Sequence, residues 1–103
     1  MTVSSLAVNT TVNEGVFVLN NNSAVTINGG SIQNAGGPAF AISGGAGNVT
    51  YAGTITNDVG VLVTVNGSTG GTKTFSGAIT DGNDGDGNGI SLVNNLGATI
   101  TFS

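Results

Sequence analysis

The chain has 103 residues, enough for one domain, and 19 of them are Gly with a single Pro and no Cys. Charged residues make up 6% and the net charge of −4 rests on Glu14, Asp58, Asp81, Asp84 and Asp86 against Lys73 alone. This excludes a disulfide or zinc-thiolate framework, and it leaves phosphate backbones and anionic membrane surfaces without a basic patch to hold them.

Taken in order, the apolar signal is carried by Val, Ile, Thr and aromatics, with Gly and Asn interrupting it every few residues. That mixture disfavours helix and favours short strands with tight corners. The first segment is the least regular, with apolar positions at Val3, Val8 and Val16–Leu19 and a closing run Asn20-Asn21-Asn22-Ser23. The second reads as strands over Val25–Asn28, Ser31–Gln33 and Ala39–Ser43, closed by Gly44-Gly45-Ala46-Gly47-Asn48. The third repeats it as Val49–Ala52, Thr54–Thr56 and Val61–Val65, closed through residues 66–71. The fourth has Thr74–Ser76, Ala78–Thr80 and Gly89–Val93, and Ile100-Thr101-Phe102-Ser103 opens another copy. Ile27, Tyr51, Phe75 and Phe102 mark the copies, with two equal steps (51−27 and 75−51) and a slightly longer third (102−75). A period of this size predicts a stacked repeat whose units cannot bury an apolar face alone.

Register follows from the same spacing. Tyr51, Phe75 and Phe102 form one expected aromatic rank, and Phe17 with Phe40, nearly one period apart, a second at the third strand. Val8, Ile32, Ile55 and Ile79 give a β-branched column, and Asn34, Asn57 and Asp81, each two positions further on, a polar one. Stacked Asn side chains can hydrogen-bond along the axis of such a pile. With both aromatic ranks inward, no exposed ring is expected for stacking on sugars. Lys73 shares its parity with Phe75, which predicts either a corner position or a stem that snorkels its ammonium outward.

The Thr-Phe-Ser-Gly-Ala-Ile-Thr-Asp and Gly-Ile-Ser-Leu-Val-Asn patterns, over most of residues 25–103, resemble parallel β-helix proteins. These are the β-solenoids of bacterial adhesins, autotransporter passengers and long secreted repeat proteins. The expected fold is all-β: a single parallel β-helix (β-solenoid) domain spanning 1–103, with about four coils of roughly 24 residues and three short strands each. The coils fall at about 1–24, 25–48, 49–72 and 73–99, with the start of the next at 100–103. The resemblance implies right-handed winding and an extracellular or cell-surface location.

Asp84-Gly85-Asp86-Gly87-Asn88-Gly89 matches the first half of a calcium loop, D-x-D-x-N-G, and makes Asp84, Asp86 and Asn88 the candidate calcium ligands. The twelfth loop position is Asn95, which cannot supply the bidentate carboxylate; an Asp/Asn/Gly-rich insertion also serves simply as a solvated turn. Gly44-Gly45-Ala46-Gly47-Asn48-Val49 lacks the Asp of a calcium-binding nonapeptide, so corner glycines account for it. Thr26, Thr50, Thr74 and Thr101 form an outward column with a partner column Ala24, Asn48, Thr72 and Thr99. A flat double Thr rank is similar to the face of β-solenoid ice-binding proteins, and here the partner column is half formed. Without His, and with its clustered carboxylates in a Gly-rich loop, the chain offers enzyme chemistry little. The expectation is a non-catalytic structural rod, requiring no cofactor, that stacks on itself head to tail or belongs to a longer array; a calcium- or ice-binding module is the alternative.

Overall fold

The computed structural model describes residues 1–57, 59–82 and 89–103. Among the described residues there are thirteen strands and no helix: β1 (Thr2–Val3), β2 (Leu6–Thr11), β3 (Val16–Leu19), β4 (Val25–Ile27), β5 (Gly30–Ala35), β6 (Phe40–Ser43), β7 (Val49–Tyr51), β8 (Thr54–Asn57), β9 (Val63–Asn66), β10 (Thr72–Phe75), β11 (Ile79–Asp81), β12 (Ile90–Val93) and β13 (Thr99–Phe102). They pile into three parallel sheets. One face has the order β1-β4-β7-β10-β13, the second β11-β8-β5-β2 and the third β12-β9-β6-β3. Every third strand joins the same sheet, which is a β-solenoid of about four turns at roughly 24 residues per turn.

Parallel, in-register stacking converts the sequence period into columns about 4.8 Å apart. On the first face Val3, Ile27, Tyr51, Phe75 and Phe102 superpose, so the aromatic rank holds. On the second, Val8, Ile32, Ile55 and Ile79 superpose as the spacing requires. The third face corrects the other aromatic rank. Phe40 lies over Val16, and Phe17 pairs with Ala41. Alternation then turns Phe40 inward, where it is fully buried, and Phe17 outward, where it is 51% exposed. The step that matters is the full period from Val16 to Phe40, one position longer than the step between the two rings.

Phe40 packs against two of the first-face rings, with centroids 5.2 Å from Tyr51 and 5.3 Å from Phe75. Phe75 and Phe102 lie stacked at 5.2 Å with planes 14° apart. Phe40, Tyr51 and Phe75 join Ile27, Ile32, Ile42, Val49, Ile55, Val63 and Val65 in one core along the axis. Burying each such side chain is worth about 1.5–3 kcal/mol, so the middle coils carry most of the stabilisation.

Corners are held by backbone geometry. Immediately after the third-face strands stand Asn20, Gly44, Gly67 and Asn94, with φ of 47°, 68°, 69° and 55°. This left-handed turn recurs in every coil, and Gly and Asn are the residues that adopt it most readily. Gly44 and Gly45, read from sequence as corner residues, both have positive φ.

Candidate functional site

Two parts of the described surface and two buried titratable groups carry chemistry. The first is the outer side of the first face. Thr2, Thr26, Thr50, Thr74 and Thr101 occupy successive rungs in register. Sequence spacing places four of these; Thr2 is the addition, one full period before Thr26. The partner column is mixed: Thr72 superposes on Thr99, while the Asn48 side chain bends to accept a hydrogen bond from the Thr72 amide at 2.9 Å.

The second is the corner leading from the third face back to the first, where Asn side chains brace one coil to the next. Asn22 Oδ1 accepts from the Ala46 amide at 2.9 Å. Asn95 Oδ1 accepts from the Ser68 amide at 2.9 Å, and its Nδ2 donates to the Val65 carbonyl at 2.8 Å. The bonds to the Ala46 and Ser68 amides satisfy backbone donors of the corner itself, and the bond to Val65 ties the corner to strand β9. Asn95 is the twelfth position of the calcium-loop pattern, and both ends of its side chain are engaged within this corner. Asp84, Asp86 and Asn88 lie outside the described residues. Among the described residues no three metal-ligating side chains come together, and no pocket opens on the rod.

The polar column beside Ile32, Ile55 and Ile79 is broken. Asp81 does pair with Asn57. Asn34 has a φ of 56°, which throws its side chain outward to donate to Asn9 Oδ1 at 3.0 Å and lets Ala35 turn in instead. Asn57 keeps ordinary strand parity and is fully buried, donating to the Gly37 carbonyl at 3.2 Å while its Oδ1 has no hydrogen-bond partner among the described residues. A continuous Asn ladder is therefore absent: Asn34 turns out where Asn57, at the same sequence offset, turns in.

Lys73 is neither at a corner nor snorkelling. It superposes on Val49 and Ile100 and is 1% exposed, so the ammonium is inside the rod. Nζ donates to the Gly47 carbonyl at 2.8 Å and the Gly70 carbonyl at 2.6 Å. Burial lowers its pKa below the ordinary 10.5, because carbonyl dipoles replace only part of the lost hydration. Sequence parity pointed Lys73 inward; what it could not supply was the carbonyl pair of the adjoining corner. Tyr51 is the other buried titratable group: its hydroxyl donates to the Thr54 carbonyl at 3.0 Å, and burial raises its pKa to about 12.

Hydrophobic side chains exposed to solvent gather toward the two ends of the pile. In the middle coils Ile32, Ile55, Phe40 and Val63 have no accessible surface. In the first coil Val3, Leu6, Val8, Val16 and Val18 are only partly covered, and at the opposite end so are Ile79 and Ile100. Ile90, Leu92 and Phe102, which continue inward columns, are 46%, 47% and 37% exposed. Among the described residues no helix is long and apolar enough to cross a membrane. Comparison with protein-family models, curated proteins and solved structures returns no match to this chain.

Proposed function

We propose that the chain is a non-catalytic structural rod, working at a cell surface or outside the cell, whose ends join edge to edge. The joining partner is a further copy or the next coils of a longer adhesin-like repeat protein. One observation carries this reading: the inward columns reach both ends of the pile half covered, and β1, β2, β3 at one end and β11, β12, β13 at the other each pair on one side only. An unpaired strand edge above an uncovered apolar column is what another coil or copy would complete. Between the ends, the core is mostly apolar and the surface is largely Thr, Asn, Ser and Gly, which suits a spacer more than a catalyst. Electron microscopy of the purified chain tests this. Thin fibres with a repeat of about 4.8 Å along the axis are expected. Small particles at every concentration would overturn self-joining.

A second reading has its own observation. The unbroken threonine column from Thr2 to Thr101 supports contact with a regular surface such as ice. The half-formed partner column weighs against it. Growth of ice crystals unaltered by the chain would dismiss this reading. The calcium reading of Asp84, Asp86 and Asn88 is tested in the same microscopy by adding calcium and then chelator.

A further inference from the structure

If copies join end to end, the number of strands on each face decides how. Among the described residues the first face holds five strands and the other two hold four each. Suppose a second copy lands with its β1 on β13 of the copy beneath. Its β2 and β3 then stop one strand short of β11 and β12, leaving an unfilled space about 4.8 Å wide on two faces. Turning the copy by one face closes the space, but it sets residues 12–15, a corner between the second and third faces, over residues 94–98, a corner between the third and first.

We propose, resting on the self-joining reading above, that β13 of one copy displaces β1 of the next and takes its place against β4. The partner is a second copy of this chain, and the joint is a strand replacement of the donor-strand kind. Three features of the two strands support it.

The hydrogen-bond phase is the same. The Thr26 amide donates to the Met1 carbonyl and the Asn28 amide to the Val3 carbonyl, each at 2.9 Å. In β13 the Thr99 and Ser103 amides point back to the Gly71 and Phe75 carbonyls, so the groups of Ile100 and Phe102 point away from β10. Thr2 pairs with Thr26, and Thr101 is the threonine of its own rung. With Thr101 in the register of Thr2, the Ile100 and Phe102 carbonyls stand where those of Met1 and Val3 stood.

The replacement is also the longer strand. β1 has two residues and β13 four, so β13 covers all three of β4. Finally, every column continues. Phe102 comes over Ile27 and Ile100 over Val25, the threonine rank runs on without a break, and β2 and β3 settle directly on β11 and β12.

Each copy then advances the rod by four strands, about 19 Å; a joint with β1 retained advances it by five, about 24 Å. Helical reconstruction of wild-type fibres reads this rise directly. A second measurement uses the absence of native cysteine. Under oxidation, Thr26→Cys/Thr101→Cys is expected to give a ladder of disulfide-linked multimers, since adjacent rungs bring Cα atoms within disulfide reach. The longer, five-strand rise overturns the replacement while the rod reading stands. Linkage through Thr2→Cys/Thr101→Cys or through Thr2→Cys/Thr80→Cys in place of the first pair does the same. Absence of any multimer in wild type and all three variants overturns the self-joining reading, and the replacement with it. Val3→Asp sharpens the distinction. It loosens β1 and is expected to lower the concentration needed for assembly roughly three- to tenfold; a rise in that concentration would mean that β1 is part of the joint.

Discussion

The middle coils and the end coils carry similar residues at equivalent positions, yet they are not equally buried. Ile55 and Ile79 are consecutive members of one column; Ile55 is fully buried and Ile79 only partly. Val63 and Ile90 form another such pair, the first with no exposure and the second 46% exposed. In a globular domain burial follows from a residue's place in one shared core. In a solenoid it follows from having a coil on each side, so stability is a nearest-neighbour property. The ends are therefore where the molecule is both weakest and most able to associate.

The largest test of that difference uses the aromatic residues. Phe40→Ala removes a ring lodged between Tyr51 and Phe75 and should cost about 3–5 kcal/mol in urea unfolding. Phe102→Ala, at the end of its column, should cost well under half as much in the monomer and weaken association instead. Phe17→Ala, on the outer side, should stay within about 0.5 kcal/mol. A large effect of Phe17→Ala would put the third-face register in error.

Alkaline titration probes the middle coils alone. The folded-state pKa of Tyr51 is raised from 10.0 to about 12, so its contribution is complete below pH 10 and is lost as pH rises through that interval. Two pKa units correspond to a loss on the order of 3 kcal/mol. Lys73 has the opposite sign: its folded-state pKa is lowered, the unfolded chain binds that proton more tightly, and stability increases as pH climbs toward 10.5. Denaturation followed against pH should show a rise and then a fall. Tyr51→Phe should remove the fall, at a cost of about 1 kcal/mol near neutrality for the lost hydrogen bond. Lys73→Met should remove the rise.

Backbone spacing gives the next contrast. A Cβ on Gly77 would come 1.8 Å from the Gly53 carbonyl oxygen of the coil beneath it, whereas a Cβ on Gly89 meets nothing within 4 Å among the described residues. Gly77→Ala should destabilise by about 1–3 kcal/mol or more, and Gly89→Ala should be nearly neutral, both read from thermal unfolding. The smallest effect compares aliphatic neighbours. Ile55→Val should cost about 0.5–1.5 kcal/mol, and Ile79→Val less than half of that, because part of its side chain remains in water. Equal costs would mean that the end coil is covered by something, such as a second copy.

Much of the fold was legible because a repeat states its register several times over. The steps Ile27 to Tyr51 to Phe75 and Val8 to Ile32 recur in chain order, and parallel pairing follows from them. Phe17 shows how such reading fails. Pairing it with Phe40 favours residue type over period, and one residue of slip exchanges inside for outside. The full-period step from Val16 to Phe40 was the available signal. The site was less legible. Thr2 could have been added to its column by the same count, but the Asn22 and Asn95 braces depend on which way a side chain turns within a corner, where strand alternation gives no guide. The candidate calcium ligands Asp84, Asp86 and Asn88 are outside the described residues and stay a reading of sequence alone.

Period, strand parity and the near absence of charge were enough to determine a parallel solenoid with three faces, since alternation and stacking are properties of any extended backbone repeated at fixed intervals. Tertiary structure alone decided three other things. It set Asn34 outward and Asn57 inward, through one positive φ. It placed the Lys73 ammonium between the carbonyls of Gly47, in the coil beneath, and Gly70, in its own corner. It also turned Asn22 and Asn95 onto backbone amides of a neighbouring coil, through the direction of side chains at the corners. These outcomes depend on the direction of single side chains and carbonyls at turns, where a change in one dihedral redirects the chain and no periodicity constrains it.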